Sequence, residues 1–167
     1  MSSGGRQRVV VLVGLPGSGK STWLAQQGAV GISSDELRRL LKDDATDQTI
    51  HRIVFRLVRQ LLRIRIALGL KATYIDATNL TPRERRPYIK IAQTYGCDVE
   101  AVFFDVPAAV CRERNLARSR IVPEEAMEKL AARLAPPDVR EGFSWVTVVS
   151  ATDAAAPSPG RPASGAR

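Results

Sequence analysis

A glycine-rich segment between an apolar run and a helix-forming stretch places the strongest constraint on how this chain folds. Residues 14–22 match the spacing G-x-x-x-x-G-K-[ST], and residues 9–13 before them are all aliphatic. An apolar run of this length is typical of a strand buried on both faces, as in a parallel sheet. A strand, a glycine-rich loop and a helix in this order form a phosphate-binding loop. The sequence therefore predicts a nucleotide site at the carboxyl end of the first strand.

The residue types in this segment suit the binding of a nucleoside triphosphate. Its glycines let backbone N–H groups curl around phosphates, and the following helix points its positive end at them. Lys20 is expected to reach the β- and γ-phosphates, and the Ser21 hydroxyl is expected to bind Mg²⁺. The predicted ATP-binding residues here are Gly14, Leu15, Pro16, Gly17, Ser18, Gly19, Lys20, Ser21 and Thr22. A chance glycine turn beside a surface lysine is the alternative, and it does not explain the strand and helix on either side.

Strand-like and helix-like segments alternate along the rest of the chain. Short apolar runs predict strands at 8–13, 30–33, 72–75, 99–104 and 144–149. Helices are predicted at about 20–27, 35–41, 49–68, 82–95, 107–116 and 123–134. This alternation predicts an α/β domain with a five-stranded, mainly parallel sheet and helices on both faces. With the phosphate-binding loop, it indicates the P-loop NTPase fold, and the basic cluster described below adds a small basic lid. The domain is expected to span 8–150, between a flexible N-terminus at 1–7 and a disordered Ala/Pro/Ser/Gly tail at 151–167.

Carboxylates follow the second and third predicted strands, at the edge of the sheet where α/β proteins bind ligands. Asp35 is a candidate general base for an attacking hydroxyl, and Arg38, one helical turn further on, is a candidate for binding an acceptor phosphate. The alternative is that Ser34 or Asp35 caps the helix, and both roles can coexist. Asp76 is a candidate Mg²⁺ ligand of the Walker-B type, or simply a turn residue at the end of a strand.

The chain is basic, with 25 Lys and Arg residues against 17 Asp and Glu residues and a net charge of +8. This excess indicates a polyanionic partner, although arginine richness also reflects the base composition of some genomes. One basic cluster lies where this type of fold closes over ATP, and we interpret it as a phosphate-binding lid rather than a solvated loop. Its members are Arg112, Arg114, Arg118 and Arg120.

A second group of arginines follows one face of the longest predicted helix. The group comprises Arg52, Arg56, Arg59 and Arg63. No Asp or Glu lies between His51 and Lys71 to pair with them within the helix. Such a stripe is a candidate track for a nucleic-acid backbone, and a solvated face or pairing with other elements is the alternative. The next helix extends the hypothesis with Arg83, Arg85, Arg86 and Lys90.

Beyond the loop, five short blocks occur in order along the chain. They are Asp35-x-x-Arg38, Ile75-Asp76-Ala77-Thr78-Asn79-Leu80, Phe104-Asp105-Val106-Pro107, Arg114-Asn115-x-x-Arg118 and Val122-Pro123. With the loop, they resemble the kinase domain of bacteriophage and bacterial 5′-polynucleotide kinases over about residues 8–135. The resemblance implies that Lys20 and Ser21 bind ATP and Mg²⁺ and that Asp35 activates a 5′-hydroxyl.

The resemblance also implies roles for residues around the two substrates. Arg118 would be the lid arginine that contacts the donor phosphates, and Arg114 would lie near the adenine. Arg38 would hold the phosphate next to the acceptor hydroxyl, while Thr78 and Asn79 would line the acceptor site. Members of this group often carry a phosphatase or ligase module, and we expect only a kinase module in these 167 residues.

The expected activity is therefore transfer of the ATP γ-phosphate to a 5′-hydroxyl end of DNA or RNA, with ATP and Mg²⁺ as cofactors. A kinase of a nucleoside, sugar or antibiotic is one alternative, and a nucleotide-binding regulatory module is another. No apolar run is long enough to cross a membrane, and the first residues contain no apolar signal core. With only Cys97 and Cys111 as cysteines, the chain is expected in a reducing cytoplasm. Its oligomeric state is left open.

Overall fold

Five parallel strands form the central sheet, in the order β2-β3-β1-β4-β5. The structure is a computed structural model that describes residues 5–152. The strands are β1 Arg8–Val13, β2 Gly31–Ser33, β3 Ala72–Asp76, β4 Asp98–Asp105 and β5 Trp145–Ser150. The helices are α1 Lys20–Gln26, α2 Ser34–Lys42, α3 His51–Ala67, α4 Pro82–Thr94, α5 Ala108–Leu116 and α6 Glu124–Arg133. The predicted five-stranded parallel α/β architecture is confirmed.

Strand β1 explains why the sheet is covered on both faces. Its side chains alternate between two apolar clusters, because successive residues of a strand point to opposite faces. Val9, Val11 and Val13 pack with α3 and α4, while Val10 and Leu12 pack with α1, α5 and α6. The aliphatic run is therefore buried on both faces, and the sheet lies between two layers of helices.

Helices α3 and α4 lie side by side on one face of the sheet. The buried residues of α3 recur every fourth position, as Val54, Val58, Leu62 and Ile66. Helix α4 begins as predicted, because the Thr81 hydroxyl accepts from the Glu84 amide and the Glu84 carboxylate accepts from the Thr81 amide. Both helices start at the carboxyl edge of the sheet, so their outer surfaces run from that edge along the molecule.

The sequence predicts flexible segments at residues 1–7 and 151–167, and most of these residues lie outside the described part of the chain. The predicted N-terminal segment includes Gln7, whose side-chain amide donates to the carbonyls of Ile66 and Leu70 at 3.0 Å each. Residues 1–4 and 153–167 are outside the described part of the chain, so the predicted disordered tail stays a prediction. Within residues 5–152, no helix is long and apolar enough to cross a membrane.

Candidate active site

The phosphate-binding loop joins β1 to α1 and lies directly against α5. Gly17 and Gly19 adopt positive φ angles of 82° and 97°, which side chains rarely tolerate. A Cβ atom at Gly17 would come within 2.5 Å of the Cys111 carbonyl oxygen on α5. The glycines therefore provide both the backbone turn and the close approach of the loop to the neighbouring helix.

Lys20 lies at the centre of this loop. Its ammonium donates to the carbonyl oxygens of Gly14 and Leu15, at 2.9 Å each. Burial lowers the pKa of Lys20 to about 8, although the nearby Asp76 carboxylate raises it. The Arg118 guanidinium lowers the same pKa and the Asp35 carboxylate raises it, so both groups lie within electrostatic reach of Lys20.

Asp76, at the end of β3, and Ser21, in the first turn of α1, are the predicted metal ligands. Burial raises the pKa of the Asp76 carboxyl, and the Lys20 ammonium opposes this shift. A hydroxyl and a carboxylate are hard oxygen donors of the kind that Mg²⁺ shares with substrate phosphates. Their chemistry thus fits the cation, which would also relieve the cost of burying the Asp76 charge.

Asp35 lies in the first turn of α2 and faces two arginines. Its Oδ1 accepts from Arg38 Nη1 at 3.2 Å, and its Oδ2 pairs with Arg120 Nη1 at 2.8 Å. The cap of α2 is Ser33, whose hydroxyl accepts from the Glu36 amide, and this corrects the alternative that Ser34 or Asp35 caps the helix. Asp35 is therefore free of the capping role, and its side chain is 48% exposed.

The side chain of Arg38 packs over the aromatic ring of Phe55 on α3. Its guanidinium lies 5.9 Å from the centre of the Phe55 ring, and the residue is only 4% exposed. Its Nε has no hydrogen-bond partner within residues 5–152. The buried guanidinium therefore keeps one donor unsatisfied within the described part of the chain.

The lid loop, residues 117–123, connects α5 to α6 and carries Arg118 and Arg120. The side chain of Asn115 joins the two ends of this loop. Its Nδ2 donates to the Val122 carbonyl oxygen at 2.8 Å, and its Oδ1 accepts from the Val122 backbone N–H at 3.0 Å. Arg118 is exposed, whereas Arg120 reaches back to Asp35. Arg120 was predicted only as a member of the basic cluster, and its contact with Asp35 is a tertiary feature without a sequence signature.

The remaining predicted site residues lie beside or beneath this centre. The Thr78 carbonyl accepts from the Gly14 amide at 3.0 Å, which ties the segment after β3 to the loop. Asn79 is 2% exposed, and its amide donates to the Leu12 carbonyl at 2.7 Å, so little of it is available to an acceptor. Arg114 on α5 points towards the chain beyond β5, with its Nη2 3.5 Å from the Ala151 carbonyl.

Arg85 was predicted as part of the exposed basic stripe, and this prediction is wrong. The residue is fully buried, and its guanidinium makes two bonds to the Glu141 carboxylate, at 2.9 and 2.6 Å. It also donates to the carbonyls of Asn79 and Ala135 at 3.0 Å each. The sequence contained a signal, because Arg85 lies three and four positions before Tyr88 and Ile89 on the apolar face of α4.

Comparison with known proteins agrees with this architecture. A family model described as an AAA domain matches residues 9–137. The bifunctional polynucleotide phosphatase/kinase of Schizosaccharomyces pombe is 29% identical over 152 residues, which cover 86% of this chain and 33% of that protein. This chain thus spans about a third of that relative's length.

Solved structures share the fold at low sequence identity. A sugar kinase from a Janibacter species superposes with a TM-score of 0.63 at 19% identity, over 89% of this chain and 87% of that one. The APS kinase of Mycobacterium tuberculosis, in complex with AMPPNP and APS, gives a TM-score of 0.54 at 19% identity, over 86% and 88% of the two chains. The chain accordingly belongs to the AAA domain family and has the fold of the P-loop kinases.

Proposed function

We propose that the protein is an ATP-dependent kinase that transfers the γ-phosphate to a 5′-hydroxyl end of DNA or RNA. The observation that carries the proposal is the position of Asp35, between Arg38 and Arg120 and within electrostatic reach of Lys20. The electrostatic interaction of the Asp35 carboxylate with Lys20 of the phosphate-binding loop supports Asp35 as the base for a hydroxyl acceptor. The similarity to a polynucleotide phosphatase/kinase supports a nucleic-acid end as that acceptor.

The chain's own residues divide the reaction between them. Asp35 accepts the proton of the 5′-hydroxyl as that oxygen bonds to the γ-phosphorus and the bond from the γ-phosphorus to the β-phosphate oxygen breaks. ADP leaves, and the proton remains on Asp35 until it passes to water. Lys20 and Arg118 supply positive charge where the transferred phosphoryl group develops negative charge.

Arg38 and Arg120 fix the direction of the Asp35 carboxylate, and Arg38 also binds the phosphate next to the acceptor hydroxyl. Ser21 and Asp76 would hold Mg²⁺, which would neutralise the ATP phosphates when bound. Arg114 would lie near the adenine, and Thr78 with Asn79 would border the acceptor site; of these two, Thr78 is the more exposed.

The test is label transfer from γ-labelled ATP to oligonucleotides with Mg²⁺. We expect labelling of 5′-hydroxyl DNA or RNA and none of the same strands bearing a 5′-phosphate. Arg38→Ala should abolish most transfer, whereas Arg39→Ala, its exposed neighbour on α2, should retain it. Absence of label from every 5′-hydroxyl strand would overturn the nucleic-acid assignment.

A small-molecule kinase is the second candidate, because a sugar kinase shares the fold. It predicts ADP release with a sugar, nucleoside or antibiotic acceptor and no label on oligonucleotides. A regulatory module predicts ATP binding with transfer to neither class of acceptor. Parallel assays with both classes of acceptor therefore separate the three functions.

A further inference from the structure

Helices α3 and α4 form a groove between their outer surfaces. The groove has a volume of about 500 Å³ and is open to solvent along one side. Its basic side chains are Arg59, Arg63, Arg83, Arg86 and Lys90. Two stripes that are separate in sequence are thus brought together into one surface, which we call the α3–α4 groove.

The cations of the α3–α4 groove have no acidic partner in the described part of the chain. None of the five lies within 4.0 Å of a carboxylate oxygen of residues 5–152, in contrast to Arg112, Arg120 and Arg133. Glu84, at the start of α4, pairs with Arg133 and caps its own helix instead. The groove therefore concentrates positive charge that no carboxylate of residues 5–152 neutralises by direct pairing.

The groove continues towards the candidate active site through a second cavity of about 450 Å³ along the first turns of α3. This cavity contains Arg52, Phe55 and Arg56 and shares Arg59 with the groove. Phe55 is also the ring beneath Arg38, which binds Asp35. Since Arg52 and Arg63 lie eleven residues apart on α3, the basic surface extends about 17 Å from the Asp35 end of the molecule.

Aromatic side chains lie along the same surface. Tyr95, which borders the groove at the end of α4, is 50% exposed. The rings of Phe55 and His51 lie 4.6 Å apart in the cavity near Arg38. Positive charge along a groove with aromatic rings near its two ends suits single strands, because the cations bind the phosphates and unpaired bases can stack on the rings.

We propose that the α3–α4 groove binds the phosphodiester backbone of a single-stranded polynucleotide whose 5′ end lies at Asp35. The inference rests on the proposed function and adds a place for the acceptor strand beyond its first nucleotide. Backbone binding of this kind is independent of base sequence and weakens steeply with salt.

The binding test uses 3′-labelled 12-nucleotide single strands with a 5′-hydroxyl and measures anisotropy at several NaCl concentrations. The variants are Lys90→Glu and the double variant Arg63→Glu/Lys90→Glu, both at exposed positions. We expect the double variant to bind at least about tenfold more weakly and the salt slope to fall by about 0.7 for each cation removed. The matched control is Lys129→Glu, an exposed lysine on α6, on the opposite side of the sheet.

The kinetic test separates this inference from the proposed function. With a nucleoside 3′-phosphate as acceptor, the groove variants should match the wild-type kcat/KM, whereas with the 12-mer they should lose about tenfold. If the wild type phosphorylates neither acceptor, the proposed function fails. The anisotropy experiment then still tests whether the α3–α4 groove binds single strands. Unchanged thermal unfolding of the variants shows that they are folded.

Three results would overturn the inference. The first is equal oligonucleotide binding by the double variant and Lys129→Glu. The second is tighter binding of a blunt duplex than of the single strand. The third is groove-dependent binding to phosphatidylserine vesicles without binding to the oligonucleotide.

Discussion

Positive charge is used differently at the carboxyl edge of the sheet and in the α3–α4 groove. At the edge, Arg38 and Arg120 both contact Asp35, and Lys20 is bound by the carbonyls of its own loop. In the groove, five cations lie together without a carboxylate from the described chain within 4.0 Å. Paired cations fix the geometry of one reacting group, whereas unpaired cations remain available to an extended anion.

The largest effect is expected when the carboxylate of the paired region is removed. Asp35→Asn keeps the shape of the side chain but cannot accept a proton, so kcat should fall by about 10²–10⁴-fold while ATP binding is retained. Glu36→Gln, the next residue and an exposed one, is the control and should be near wild type. Steady-state kinetics and ATP titration measure both, and full activity of Asp35→Asn would contradict the general-base assignment.

Adjacent residues of α4 sharpen the comparison between buried and exposed arginines. Arg85→Met leaves the Glu141 carboxylate without its partner, so the free energy of unfolding should fall by about 3–5 kcal/mol. Arg86→Met, whose side chain lines the groove, should change it by less than about 0.5 kcal/mol. Urea unfolding measures both variants.

The double variant Arg85→Met/Glu141→Leu tests the cause of that loss. Replacing both partners removes the unpaired charge, so it should recover part of the stability lost in Arg85→Met. Equal stability of Arg85→Met and the double variant would show that the loss comes from the other contacts of Arg85, including its bonds to the Asn79 and Ala135 carbonyls, rather than from the charge pair.

A smaller loss of activity is expected when Arg120 of the lid loop is replaced. Arg120→Ala removes one of the two charged contacts to Asp35, and we expect kcat/KM for the acceptor to fall by about tenfold, because charged hydrogen bonds contribute about 1.5–3 kcal/mol and this one is partly exposed. Arg112→Ala, which removes a basic residue paired with Glu124 instead, is the control and should stay within about twofold. Equal losses in the two variants would indicate a general effect of lid charge.

The smallest expected signal is a fractional proton taken up by Lys20. Its pKa lies near 8 in the free protein, and the negative charge of bound phosphates should raise it. ATP binding should then take up part of a proton at pH 8.5 and almost none at pH 6.5, where Lys20 is already protonated. Calorimetry in buffers of different ionisation enthalpy measures the uptake, which Lys20→Met should abolish.

Local patterns predicted the elements that depend on nearby residues. The start of α4 was placed correctly because Thr81, Pro82 and Glu84 act within one turn. Helix α3 was predicted within about two residues of its observed bounds, since its apolar residues recur along a single face. The short 3₁₀ helix Val139–Glu141 was missed, because three residues show no periodicity.

Whether each arginine is buried and paired or remains exposed depends on the tertiary fold. Arg85 and Arg86 are neighbours of the same type, yet one is buried against Glu141 and the other borders the α3–α4 groove. The contact between Arg120 and Asp35 joins residues 85 positions apart, which no local pattern encodes. Contacts of this range depend on how helices and loops are placed around the sheet.

The amino-acid sequence by itself determined the strand–loop–helix unit, the parallel α/β sheet and the identity of the candidate phosphate-binding residues. These features follow from backbone sterics, burial and capping, which act over a few residues. The tertiary structure decided which cations are neutralised and which are not. Pairing of charges depends on distances of a few ångströms between segments far apart in the chain, and those distances are set only when the helices pack on the sheet.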